Sequence, residues 1–187
     1  MPQSQPQSKT VFVTTGATVT FPGLLRTVLN QQFIKTLKDL GYNKLKVQYG
    51  KEKDALDLFQ SLIVHTLGLQ LNEVLHTDGV LIEGIPFSND VQQEIINSEL
   101  VISHSGTGSI LDSLRLKKKL IVVVNDALMD NHQLEIAQEF ENGGYLLKCD
   151  KPDVDALIDI LKEIQTTQLT ELPLPKEDTL KTILESL

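Results

Sequence analysis

The sequence predicts a doubly wound α/β fold, in which helices cover both faces of a parallel β-sheet. Three observations support this class. Short runs of β-branched and apolar residues alternate along the chain with stretches of helical periodicity. The most apolar run, residues 120–124 (LIVVV), has no polar position, as expected for a strand buried on both faces. Loops rich in Gly, Ser and Thr follow several of these runs, at the strand ends where this class binds ligands.

The first half of the chain predicts three strands separated by two helices. In chain order these elements are residues 10–14, 22–40, 45–49, 55–62 and 80–84. Pro22 suits the first turn of the long helix, and Gly41 follows it as a natural stop. The weakest pattern lies in residues 51–78, where only the short helix is predicted and the remainder reads as a variable loop.

The second half continues the alternation, beginning and ending with a helix. The predicted elements are residues 88–97, 100–103, 107–116, 120–124, 130–142, 145–148 and 153–164. Ser88 or Asn89 is the predicted N-cap of the first of these helices, and Asp130 caps the third. Such strand and helix spacing is typical of βαβ units in a parallel sheet.

One domain, residues 10–165, is predicted between two less regular ends. Residues 1–9 are rich in Gln, Ser and Pro and read as a disordered tail with no secretory signal. Residues 166–178 contain two prolines and read as a linker, and residues 179–187 then form a short amphipathic helix. Its apolar face, which docks either on the chain's own domain or on a partner protein, consists of Leu180, Ile183, Leu184 and Leu187.

Composition excludes several classes of function. The net charge of −8 disfavours binding to nucleic acid or to anionic lipid heads. A single cysteine, Cys149, allows neither an intrachain disulfide nor a cysteine-based zinc site. The longest apolar run has five residues, whereas a membrane span needs about 20. The chain also lacks the GxSxG, GxxxxGK[ST] and HExxH motifs of serine hydrolases, P-loop proteins and zinc proteases.

The loop after the first strand, residues 14–18 (TTGAT), is a candidate phosphate contact. A glycine with small and hydroxylated neighbours lets the backbone approach a phosphate closely, although a plain turn fits this pattern equally well. The second predicted strand ends in Gln48-Tyr49-Gly50 without an acidic residue, which argues against an NAD site. The candidate binding residues in this loop are Gly16, Ala17 and Thr18.

The strongest candidate is the loop that leads from the strand at 100–103 into the next helix. Free N–H groups at a helix N-terminus, aided by the helix dipole, favour a diphosphate. The glycines there allow close approach, and the hydroxyl groups either add donors or merely cap the helix. His104 either contacts the ligand or fills a polar corner. The candidates are His104, Ser105, Gly106, Thr107, Gly108 and Ser109.

Asp112 lies within the first two turns of the same predicted helix. If a diphosphate binds at the helix end, the Asp112 carboxylate can reach the hydroxyl groups of an attached ribose. The alternative is a surface ion pair with Arg115, three residues further along the helix.

The loop after the buried strand, residues 125–133 (NDALMDNHQ), is a candidate sugar contact. Asp130 and Gln133 resemble a capping box, which would explain both residues without a ligand. Amide and imidazole groups in the same first turn also suit the hydroxyls of a sugar. The candidate residues are Asn131, His132 and Gln133. No closely spaced aspartate pair accompanies them, so we predict no metal and no cofactor. Helix dipoles and hydrogen bonds would then stabilise a departing diphosphate.

Two stretches resemble a known family. Residues 99–140, ELVISHSGTGSILDSLRLKKKLIVVVNDALMDNHQLEIAQEF, are similar to the cytosolic catalytic subunits of a eukaryotic UDP-GlcNAc transferase. That enzyme adds the second GlcNAc to dolichyl-diphospho-GlcNAc. Residues 11–24, VFVTTGATVTFPGL, resemble the same subunits, most closely those of fungi. The resemblance covers most of the chain and is weakest in residues 51–78 and in the tail.

The resemblance implies a Rossmann-like fold similar to the donor-binding half of GT-B glycosyltransferases, which include the bacterial MurG enzymes. It implies inverting transfer at the cytosolic face of the endoplasmic reticulum, with a separate membrane-anchored subunit that binds the acceptor. By motif, residues 16–18 and 105–109 would face the diphosphate of UDP-GlcNAc. Asp112 would hold the ribose, and residues 131–133 the sugar.

The chain departs from the MurG pattern at two points. MurG-type enzymes carry Glu where Asp112 stands, and their first loop is richer in glycine. No catalytic base can be assigned from this sequence, and the partner is its expected source. A binding or regulatory module that holds a nucleotide sugar without transferring it remains the alternative, because the same residues serve both functions.

Overall fold

The structure is a computed structural model of the chain that describes residues 8–16, 20–71, 74–125 and 131–173, with only the backbone described for 131–133. The strands are β1 (Thr10–Thr14), β2 (Lys44–Gln48), β3 (His76–Thr77), β4 (Val80–Ile85), β5 (Leu100–His104), β6 (Lys119–Val123) and β7 (Leu147–Cys149). The helices are α1 (Pro22–Val28), α2 (Gln31–Asp39), α3 (Lys53–Ser61), α4 (Val91–Ile96), α5 (Thr107–Arg115), α6 (Asn131–Asn142) and α7 (Val154–Thr166).

Within the described residues, the strands form one seven-stranded sheet in the order β3-β4-β2-β1-β5-β6-β7. Every pairing is parallel except that of β3 with β4. The chain proceeds outward from β1 through β2 to β4 and then returns to β5, which pairs with the free side of β1. Strand order therefore reverses between β1 and β5. This topology confirms the predicted doubly wound fold.

The central strands are buried on both faces. Along β1, Val11 and Val13 belong to one apolar cluster, whereas Phe12 between them belongs to the other. The first cluster includes residues of α1, α2, α3 and α7, and the second includes residues of α4, α5 and α6. The two-sided burial explains why β1 and β6 have continuous apolar runs instead of an alternating pattern.

The single helix predicted for residues 22–40 is wrong, because the structure has two helices there. Asn30 interrupts them with an extended backbone (φ −96°, ψ 140°), and its side chain accepts a hydrogen bond from the Gln32 N–H. Asn is a favoured N-cap, so the local signal for a second helix start was present in the sequence. The long apolar periodicity on both sides of Asn30 concealed it.

The predicted caps and the weakly patterned region differ from the structure in detail. The N-cap of α4 is Asp90, which accepts from the Gln93 N–H, and not Ser88 or Asn89. In the region of weak pattern, α3 begins at Lys53 and continues into a turn of π-helix at Leu62–Thr66. The strand β3, which was not predicted, has only two residues and pairs with β4 alone. The predicted cap Asp130 lies outside the described residues.

After α7, residues 167–173 have no regular structure and lie against the domain. The Thr170 N–H donates to the Gly144 carbonyl at 2.8 Å, and Lys117 forms an ion pair with Glu171 at 2.6 Å. The proposed division into tail, domain, linker and terminal helix stays a prediction, and the terminal helix with its four apolar residues lies outside the described residues. None of the helices in the described ranges combines the length and apolar character needed to cross a bilayer.

Candidate functional site

A crevice of about 370 Å³ lies at the carboxyl ends of the strands, where the strand order reverses. Ligand pockets span about 300–1,000 Å³, and parallel sheets bind ligands at this position. Six of the predicted site residues line the crevice: Gly16, His104, Gly106, Gly108, Ser109 and Asp112. Four further residues complete the lining: Thr14, Gln48, Phe87 and Val91.

The imidazole of His104 is packed between the backbones of two glycines. A Cβ at Gly16, whose φ is +93°, would lie 2.7 Å from His104 Nε2. A Cβ at Gly106 would overlap the same nitrogen and lie 2.8 Å from Cε1. The ring thus holds the loops after β1 and β5 at a fixed separation. Neither glycine can carry a side chain without displacing it.

His104 is an uncharged group in this environment. Burial lowers its pKa, and the backbone of Thr14 opposes that shift only in part. Its Nδ1 atom is buried and has no hydrogen-bond partner among the described residues. At neutral pH the ring is therefore neutral and offers a ligand no positive charge.

The N-terminus of α5 supplies donors to the crevice. Its N-cap is Gly106, and the Ile110 N–H is bonded to the Gly106 carbonyl at 3.2 Å. The N–H groups of the three residues before Ile110 therefore have no acceptor within the helix. Gly108 and Ser109 line the crevice, whereas Ser105 is buried and Thr107 is exposed. An anion in the crevice would meet these N–H groups and the positive end of the helix dipole.

Asp112 lies one turn further along α5, at the edge of the crevice. Its Oδ1 accepts a hydrogen bond from Gln92 Nε2 on α4 at 3.3 Å, and its side chain is half-buried. The contact leaves the other carboxylate oxygen available for a ligand hydroxyl, since an ionised carboxylate accepts at two oxygens. The contact with Gln92 was not predicted.

Three other lining residues also escaped the sequence analysis. Phe87 and Val91 form an apolar wall, and Lys51 Nζ lies 4.0 Å from the centre of the Phe87 ring. Gln48, which was not predicted as a site residue, also lines the crevice. Two sequence signals could have indicated these residues. Phe87 is an aromatic residue just after a strand end, and Gln48 is a polar residue at the last position of a buried strand.

The structure describes some of the predicted ligand-binding residues only in part, and others not at all. Ala17 and Thr18 lie outside the described residues, as do residues 126–130. Residues 131–133 begin α6, as predicted, but only their backbone is described. Their assignment to a sugar stays a prediction. In the described ranges, His, Cys, Asp and Glu side chains form no group of three that could hold a metal ion.

A family profile matches nearly the whole chain. Residues 10–186 match the Glycosyltransferase family 28 C-terminal domain. The UDP-N-acetylglucosamine transferase subunit ALG13 of Kluyveromyces lactis is 48% identical over 150 residues, which are 72% of this chain and 75% of that protein. The family resemblance drawn from the two sequence stretches is thereby confirmed.

Solved structures show the same architecture. A solution NMR structure of ALG13 is 37% identical, has a TM-score of 0.69, and the match covers 95% of this chain and 96% of that one. A crystal structure of MurG from Acinetobacter baumannii has a TM-score of 0.58 at 13% identity, over 99% of this chain and 52% of that one. The likeness to MurG concerns the fold alone, and this chain corresponds in extent to about half of that protein.

Proposed function

The chain belongs to the glycosyltransferase family 28 C-terminal domain family, and from that premise we propose that it is the donor-binding subunit of a two-part glycosyltransferase. The observation that carries the proposal is the N-terminus of α5, whose first N–H groups have no acceptor within the helix and whose Gly108 and Ser109 line the crevice. A diphosphate suits that position because it accepts hydrogen bonds and carries negative charge.

The proposed donor is UDP-GlcNAc. The K. lactis relative is named a UDP-N-acetylglucosamine transferase subunit, and the crevice lining would offer separate contacts to the diphosphate, the ribose and the base. The diphosphate would lie at the start of α5, with its ribose at Asp112. The apolar wall of Phe87 and Val91 suits a flat base. The sugar would extend toward α6, where Asn131, His132 and Gln133 are its proposed contacts.

The proposed reaction is inverting transfer of GlcNAc. A hydroxyl of the acceptor attacks the anomeric carbon while the bond from that carbon to the diphosphate oxygen breaks. Negative charge then grows on the departing UDP, and the amides and dipole of α5 stabilise it. Among the described residues we assign no catalytic base, and the acceptor-binding partner is its proposed source.

The second part of the enzyme is proposed to be a membrane-anchored subunit that binds dolichyl-diphospho-GlcNAc. The name of the K. lactis relative calls it a subunit, which supports the need for a partner. In this proposal the partner holds the chain at the cytosolic face of the endoplasmic reticulum. Transfer to a lipid then requires the complex, since this chain contributes the donor site.

The terminal segment is the proposed contact with that partner. Replacing Leu184 and Leu187 together by aspartate would place charges on its apolar face. We expect the double variant to recover less than about a tenth as much partner on co-purification, because buried unpaired charges are costly in an interface. The matched control, Glu185→Gln and Lys181→Gln on the other face, should recover the normal amount. Equal recovery by both variants would reject this contact.

Transfer of radiolabelled GlcNAc from UDP-GlcNAc to dolichyl-diphospho-GlcNAc tests the proposed function. The chain alone should be inactive and the wild-type pair active. Asp112→Ala should lower kcat/KM of the pair about thirtyfold, the effect of losing a hydrogen bond to a charged group. Asp159→Ala, which removes an exposed aspartate from α7, should leave transfer unchanged.

Two results would contradict the proposal in different ways. If a purified complex shows no transfer, the chain is better described as a nucleotide-sugar-binding regulatory module. If Asp112→Ala transfers as well as Asp159→Ala does, the ribose does not lie at Asp112.

A further inference from the structure

The side chain of Gln48 is a buried polar group at the last residue of β2. Only 1% of this residue is exposed, although an amide is costly to bury unless all of its groups are hydrogen-bonded. A residue that caps a strand end could usually turn toward water. Gln48 instead points inward, at the wall of the crevice, where it is hydrogen-bonded to two loops.

Its amide nitrogen bonds to the loop after β1. Nε2 donates to Thr14 Oγ1 at 3.0 Å and, more weakly, to the Gly16 carbonyl at 3.5 Å. The Gln48 backbone carbonyl also accepts from the N–H and the hydroxyl of Thr15, at 3.3 and 3.1 Å. The start of this loop, where Gly16 packs against His104, is therefore tied to β2 at successive residues.

Its amide oxygen bonds to a different loop. Oε1 accepts from the Ser88 N–H at 3.1 Å, next to Phe87 in the apolar wall of the crevice. The two ends of the side chain cannot be exchanged, because the Ser88 N–H can only donate and the Gly16 carbonyl can only accept. Glutamine supplies both functions, whereas glutamate would supply acceptors alone and methionine neither.

Sheet pairing does not join these two loops directly. The strands that precede them, β1 and β4, lie on opposite sides of β2. The Gln48 side chain spans the width of β2. Its one amide group is hydrogen-bonded both to the loop after β1, which contains Gly16, and to the loop after β4, which contains Ser88.

We propose that Gln48 is a positioning residue that holds the loops after β1 and β4 at the separation a nucleotide sugar requires. This inference rests on the proposed function of the crevice. Gln48 acts through Gly16 and Ser88 and need not touch the donor. Its loss should weaken donor binding more than it weakens the fold, since β2 keeps its backbone pairing with both neighbours.

Gln48→Met keeps an unbranched side chain of similar length and removes every side-chain hydrogen bond, so it is the main test. Gln165→Met is the matched control. Gln165 lies on α7, where it donates to the Leu161 carbonyl and accepts from the Tyr42 hydroxyl, and it does not line the crevice. Both variants should be measured in the complex with the partner, using UDP-GlcNAc as donor, and their thermal unfolding compared.

We expect Gln48→Met to raise the KM for UDP-GlcNAc at least tenfold relative to Gln165→Met, with kcat changed less than threefold. Amide hydrogen exchange at Ser88 should become at least tenfold faster in Gln48→Met alone. Gln48→Glu keeps an acceptor for Ser88 and should keep that protection. It should still raise KM, because it loses the donor to the loop after β1 and adds negative charge near the diphosphate.

If Gln48→Met does not fold, Thr14→Val tests the same link from the other side, since it removes the hydroxyl that accepts from Nε2. A tenfold rise in KM for Thr14→Val would then support the inference. A KM within twofold of the Gln165→Met value, in either variant, would overturn it. Unchanged exchange at Ser88 in Gln48→Met would also overturn it. Failure of the wild-type pair to use UDP-GlcNAc would instead reject the proposed function.

Discussion

Gly106→Ala is expected to lower kcat/KM for GlcNAc transfer by roughly a hundredfold to a thousandfold, comparable with the loss of kcat when one preorganised hydrogen-bond donor is removed from an active site. The new Cβ would overlap His104 Nε2. The ring cannot retreat the other way, because Gly16 already lies against it. Either the ring leaves its place or the start of α5 moves, and both outcomes disturb the amides proposed to bind the diphosphate. Transfer assays of the complex, with thermal unfolding as a check on folding, measure this effect.

The His104→Ala background tests whether crowding of the His104 ring causes the loss of activity in Gly106→Ala. In His104→Ala the ring that supplies the three nearest atoms to a Cβ at Gly106 is absent. We expect Gly106→Ala to cost less than about fivefold in that background, because residues in contact have non-additive effects. If Gly106→Ala costs as much with the ring absent as with it present, crowding of His104 is not the cause.

Gly84→Ala is expected to destabilise the fold by about 3 kcal/mol, near the upper end of the cost of overpacking. Gly84 lies in β4, and a Cβ there would overlap Phe59 Cζ and lie 2.5 Å from its Cε1. The Phe59 ring is buried and stacks on Tyr49 with ring centres 4.9 Å apart, so it has little room to move. The free energy of unfolding, measured by urea titration, tests this value.

The same substitution in a Phe59→Leu background is the control. Leucine is shorter than the ring, so the added methyl group should cost less than about 1 kcal/mol there. If Gly84→Ala lowers the free energy of unfolding by about 3 kcal/mol in both backgrounds, the strand backbone and not the Phe59 ring is what disfavours a side chain at position 84. Wild-type stability in Gly84→Ala would contradict the packing of Phe59 on β4.

Much of the fold follows from local pattern. The first strand is found at residues 10–14, as predicted, because a short β-branched run favours the extended conformation over the helix. The crevice was also predictable in outline, since the ends of parallel strands meet at one edge of a sheet. This rule brings Gly16 and Gly106 together although 90 residues separate them.

The details that the pattern missed depend on tertiary contacts. Nothing near Gln48 in sequence indicates that its side chain links Thr14 to Ser88, which lie 34 residues before it and 40 after it. The two-residue strand β3 is too short for any alternation to appear, and it forms only because β4 is available to pair with it. The packing of His104 between two glycines likewise depends on the sheet order.

The lengths of the two edge strands bear on whether copies of this chain can associate edge to edge. Among the described residues, the edge strands β3 and β7 are the shortest, with two and three residues. A sheet edge attracts a further strand through its unpaired backbone groups, and short edges with charged side chains resist such growth. Lys148 lies within β7. The two short edges therefore offer few unpaired backbone groups to an added strand, which disfavours edge-to-edge pairing between copies of the described sheet.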